Sequence, residues 1–125
     1  MSRNIRRLPD AELTVMQALW DCESPATRVQ IAQQIPEDHV MALTTLLTLL
    51  TRLGEKGFLA VEKAGRGNIY TPLITREDYL AVQSQRFLNQ LCGGSVPMLA
   101  SALCRSGLSK AELTQLRQLL EEESL

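Results

Sequence analysis

Histidine is almost absent from this chain, cysteine is sparse, and no apolar run is long enough to span a membrane. Each scarcity excludes something. His39 is the single histidine, and no convergent set of histidine, cysteine and carboxylate surrounds it in the pattern. No glycine loop opens a helix after a strand, so an enzyme has no visible machinery here. His39 is expected at the start of a helix. The three cysteines, Cys22, Cys92 and Cys104, are odd in number and spaced unlike any ligand pair. They read as reduced thiols buried as small hydrophobes, with no metal and no cofactor expected. The arginines of MSRNIRRLPDAEL are not followed by an apolar stretch of ~7–15 residues. Neither a signal peptide nor membrane insertion is therefore expected, and the cytoplasm is the default location. A net charge of −1 leaves no whole-protein basic field, so any nucleic-acid contact must come from local patches.

What remains is an ordinary soluble composition. Hydrophobic residues make up 45% and charged residues 22% of 125, enough for one domain or a small domain with an accessory piece. A first helix fits residues 9–20, with Pro9 at its start, Asp10 and Glu12 at its positive end, and Leu13, Met16, Leu19 and Trp20 on one stripe. Trp20 is expected in the core. Thr27-Arg28-Val29-Gln30 has the spacing of a capping box and opens a short second helix that ends before Pro36. A third helix follows, with Leu43, Leu46, Leu49, Leu50 and Leu53 at core spacing until Gly57 stops it. Its opposite face carries Thr44, Thr45, Thr48, Thr51, Arg52 and Glu55, with Leu47 exposed among them. Threonine is a mediocre helix former, so four on one face point to a requirement other than helix stability.

After Gly57 the period shortens. Phe58 to Lys63 and Asn68 to Leu73 are β-prone runs joined by Ala64-Gly65-Arg66-Gly67, a hairpin tip, with Tyr70 and Pro72 packing it onto the helices. Three short helices and a hairpin make a winged helix-turn-helix, assigned to residues 1–74. The fold class is thus mostly α with a small β-wing, followed by a three-helix dimerisation region over residues 75–125. That region opens at Thr75-Arg76-Glu77-Asp78, breaks at Gly93-Gly94, and ends on a helix capped by Ser109-Lys110-Ala111-Glu112, whose acidic end, Glu121-Glu122-Glu123, is expected to fray. Leu80, Phe87, Leu88 and Leu91 form its first stripe, Leu99 and Leu103 the second, and Leu113, Leu116 and Leu120 the third. This is more apolar surface than so small a unit can hide, and a symmetric homodimer is the economical way to cover it.

LPDAELTVMQALW, TTLLTLLTRLGEKGFL, GRGNIYTPLIT, DYL and RFLNQLCGG stand in this order, and by them residues 8–120 resemble the penicillinase-repressor family. The resemblance implies a cytoplasmic bacterial repressor with an N-terminal winged helix and a C-terminal dimerisation region, bound to a palindromic operator on double-stranded DNA. It also implies regulated release, which in the β-lactam-responsive members is cleavage in the fourth helix after a membrane sensor protease detects drug. The cut falls before a phenylalanine that matches Phe87. Arg86 stands where those members have asparagine, and the closely spaced cysteine pairs of the copper-responsive branch are missing, so the inducing signal stays open.

By the helical face and by the resemblance, the expected DNA contacts are Thr44, Thr45, Thr48 and Arg52, joined by Leu47 and Thr51. Threonine hydrogen-bonds phosphate or touches a thymine methyl, while arginine neutralises phosphate or grips guanine. Arg66 at the wing tip is placed for a minor groove or phosphate, and Lys56 and Lys63 for phosphate. Arg3, Arg6 and Arg7 are either an arm on DNA or a charged, unstructured tail. Two other functions compete with a repressor. The near-neutral charge and exposed Leu47 also suit a winged-helix protein-interaction module, and the thiols leave room for a metal- or redox-responsive regulator.

Overall fold

The computed structural model describes residues 5–123. The elements are α1 (Asp10–Trp20), β1 (Ala26–Thr27), α2 (Arg28–Gln34), α3 (Leu43–Glu55), β2 (Leu59–Ala64), β3 (Gly67–Pro72), α4 (Arg76–Leu91), α5 (Val96–Arg105) and α6 (Lys110–Glu123). The chain divides into two compact units between Gln83 and Ser84.

In the first unit the apolar stripes converge on one core. Val15, Met16 and Leu19 of α1, Ile31 of α2, and Leu46, Leu49, Leu50 and Leu53 of α3 are all buried, and Phe58 closes the group. Each such side chain contributes roughly 1.5–3 kcal/mol. Leu43 does not join them. It is the first residue of α3 and is exposed.

The capping box at α2 forms as the spacing requires: Gln30 N–H donates to Thr27 Oγ1 at 3.2 Å, and Thr27 N–H donates to Gln30 Oε1 at 2.9 Å. Thr27 does a second job. With Ala26 it forms β1, which pairs with Tyr70 and Ile69 of β3, so the sheet has order β1-β3-β2 rather than being a lone hairpin. Ala64 faces Gly67 in register, leaving Gly65-Arg66 as a two-residue turn. Gly65 adopts φ +64° while Arg66 stays at negative φ, the pattern of a hairpin turn that demands glycine first.

The core also reaches past residue 74 into α4. Tyr79 is buried, its ring 5.7 Å from that of Trp20 and 5.9 Å from that of Phe58, and its hydroxyl accepts from Leu8 N–H at 3.0 Å. Ile5 and Leu8 are buried as well. Arg6 and Arg7 therefore lie within a segment fastened to the core at both ends rather than in a loose tail, while Arg3 lies outside the described residues. Trp20 is half-buried; its indole N–H donates to Ile74 O at 2.9 Å and its ring carries the Arg76 guanidinium.

The second unit has capped helices but little interior. Ser95 accepts from Met98 N–H at the start of α5, and Ser109 and Glu112 exchange bonds at the start of α6. The bond from Ser109 N–H holds the Glu112 carboxyl below its ordinary pKa. α6 stays helical to Glu123, through the acidic end expected to fray. No residue of α5 or α6 is buried. Val96, Leu99, Leu103, Leu113, Leu116 and Leu120 line an open groove of about 510 Å³ between these two helices.

Candidate nucleic-acid interface

The buried leucines fix the rotation of α3, so its opposite side must face out. Thr44, Thr45, Thr48, Thr51 and Arg52 are all exposed, and Leu47 is 37% exposed beside them. Thr44, Thr45, Thr48 and Arg52 surround a shallow notch of about 270 Å³ floored by Leu49. These four, the main contacts expected from sequence, thus occupy one continuous surface. α3 begins at Ala42 without a side-chain cap, leaving its first N–H groups to water or an anion.

Two of the hydroxyls are engaged within the helix. Thr48 Oγ1 donates to Thr44 O and Thr51 Oγ1 to Leu47 O, both at 2.9 Å. In that arrangement a threonine offers a partner its methyl group and oxygen lone pairs, not its proton. Thr48 and Thr51 are therefore poor donors to phosphate.

Arg66 projects from the turn between β2 and β3 and is exposed, as is Lys63 on β2. Lys56 departs from expectation. Its ammonium pairs with Glu12 of α1, a carboxylate only 4% exposed, across 44 positions of sequence. A buried carboxylate needs a counter-charge, so Lys56 ties the end of α3 to α1. His39 likewise stands ahead of α3 in a short 3₁₀ turn of Glu37–His39, with Nδ1 2.9 Å from Asp38 Oδ1. That pairing holds the exposed Asp38 carboxyl below its usual range.

Arg28 was not singled out by its sequence pattern. It lies exposed in the first turn of α2, where the helix dipole disfavours a cation and no acidic residue offsets it. A basic residue at the wrong end of a helix is the signal that could have identified it. Cys22 is half-buried, with its thiol donating to Ala18 O at 3.3 Å; burial, then the charge of Asp21, raises its pKa and suppresses the thiolate. Cys92 is buried and Cys104 exposed.

Residues 8–122 match the family model described as Penicillinase repressor. The chain is 36% identical over 121 residues to the Penicillinase repressor of Bacillus licheniformis, covering 96% of this chain and 94% of that one. It is 27% identical to the Methicillin resistance regulatory protein MecI of Mammaliicoccus sciuri, over 98% of this chain and 100% of the relative. Among solved structures, the DNA-binding domain of the repressor BlaI superposes with TM-score 0.52 at 33% identity, over 62% of this chain and 94% of the domain. The monomeric form of Bacillus licheniformis BlaI in complex with the blaP half-operator gives TM-score 0.51, also at 33% identity, with the same coverage. The threonine-faced third helix, the sheet-borne wing and the match along nearly the whole chain place this protein in the penicillinase repressor family.

Proposed function

We propose that this chain is a homodimeric transcriptional repressor that seats α3 in the major groove of a palindromic operator, with the wing on the flanking backbone. The observation that carries the reading is the continuous exposed surface of Thr44, Thr45, Thr48 and Arg52, held outward by the four buried leucines of α3. The relative solved with a half-operator shares the fold of this unit, which supports DNA as the partner. Arg52 and Arg66 supply the charge, Arg28 and Lys63 add phosphate contacts, and Thr51 and Leu47 complete the groove face.

Dimerisation is supported by the second unit. Two helices with no buried residue and a leucine-lined groove between them need a partner surface, and a second copy supplies the same leucines. Leu80, Phe87 and Leu91 on α4 are exposed apolar side chains as well. No single described helix is long and apolar enough to cross a membrane, and the cytoplasm, where the operator is, is the proposed location.

Release by a sensor protease is proposed at the Arg86–Phe87 bond. That bond lies inside α4, with Arg86 half-buried and Phe87 exposed. Proteases bind extended peptide, so a cut there requires α4 to open locally first.

An electrophoretic shift with the DNA upstream of the chain's own gene tests the central claim. The full-length chain is expected to form a discrete complex at moderate salt, weakened by Arg52→Ala and by Arg66→Ala. Unchanged binding by both variants would remove the assigned surface.

A further inference from the structure

The part of the outward face of α3 around Leu47 is poor in hydrogen-bond donors. Thr48 and Thr51 direct their hydroxyl protons to Thr44 O and Leu47 O, so methyl groups and oxygen lone pairs are what remain. Leu47 lies exposed on the same face, and Leu43, one turn earlier and 47% exposed, continues the apolar strip. Arg52 is the one cation in the helix.

The bases differ in what they ask of such a surface. In the major groove guanine shows two acceptors and needs donors, which Arg52 and the hydroxyls of Thr44 and Thr45 can supply, all on the notch side of the face away from Leu47. Thymine shows the C5-methyl, the one apolar group in that groove, and its adenine partner shows an N6 amino donor that a threonine oxygen can accept. A leucine beside two threonines whose hydroxyl protons are engaged matches a T·A pair better than a guanine.

This inference rests on the DNA-binding reading above and narrows it. We propose that Leu47, flanked by the methyls of Thr48 and Thr51, is a specificity-determining residue that reads the thymine C5-methyl, so the half-site carries T·A pairs opposite α3.

The probe is duplex DNA selected by the full-length chain from a randomised library. Each thymine of one selected half-site is replaced in turn by deoxyuridine, which deletes only the methyl group. Loss of one buried methyl contact is expected to weaken binding about fourfold at one or two positions and to leave the others unchanged. Leu47→Ala removes an exposed side chain, so the variant should keep the melting temperature of the parent. It should bind the thymine duplex several-fold more weakly and show no further loss at the uracil positions. If selection enriches no duplex, the DNA-binding reading falls and takes this one with it. If duplexes are enriched but every uracil is silent, or Leu47→Ala keeps the full uracil penalty, the thymine reading alone falls and DNA binding stands.

Discussion

Lys56 shows how a single residue can change role once the chain is folded. In sequence it is a basic residue at the end of α3; in the structure it neutralises the buried carboxylate of Glu12 on α1. Removing the ammonium leaves an uncompensated charge, and Lys56→Ala is expected to cost about 3 kcal/mol of stability in chemical denaturation. Replacing both partners by methionine should recover most of that loss, because the desolvation cost of both ions disappears together. DNA affinity of the folded double variant should then match the parent. A fold-preserved double variant with a shallower salt dependence of binding would instead return Lys56 to the phosphate contacts. Nothing local in the sequence marked this pairing: the partners are 44 positions apart, and glutamate in the first turn of α1 is already explained by the helix dipole.

At the scale of elements, the wing is held by its turn and the sheet by a strand too short to announce itself. Gly65 has φ +64° and open space where a Cβ would stand, so Gly65→Ala meets no clash and carries only the backbone cost, about 1–2 kcal/mol. Thermal melting should register that loss, and operator binding should weaken as the hairpin carrying Arg66 loosens. An unchanged melting temperature would mean the turn relaxes to another type. The elements most legible in the sequence were those with a repeating signal. The α3 leucines recur at helical spacing, and Thr27-Gln30 and Ser109-Glu112 have capping-box spacing. β1 was illegible because two residues carry no period, and its residues also cap α2. Leu43 fits the stripe by spacing but, as the first residue of the helix, is exposed, and periodicity does not reveal where along a helix packing begins. The outward face of α3 was legible as the complement of the buried one. The engagement of its hydroxyls was not, because rotamers leave no trace in sequence.

Over the whole molecule, the first compact unit runs to Gln83, past the boundary at residue 74 read from the sequence. Helix start signals at Thr75 suggested that the first unit ends with the wing, yet α4 begins inside that unit and contributes Tyr79 to its core. The reason is physical: the wing returns the chain beside Trp20 and Phe58, where an aromatic ring fills the remaining space and its hydroxyl fastens the N-terminal segment. A fragment ending at residue 74 loses that ring, and truncating a buried aromatic costs about 3–5 kcal/mol, a large share of the stability of a small domain. A fragment of residues 1–83 retains it. Sedimentation and denaturation should find the 1–83 fragment folded and monomeric, the 1–74 fragment largely unfolded, and the full chain dimeric. On a two-half-site operator the 1–83 fragment should bind roughly 10²–10⁴-fold more weakly than the full chain, because it lacks the link that makes the second half-site contact intramolecular. A stable dimer of residues 1–83 would move the association surface off α5 and α6. Equal stability of the two fragments would show that Tyr79 is carried by the core rather than needed by it.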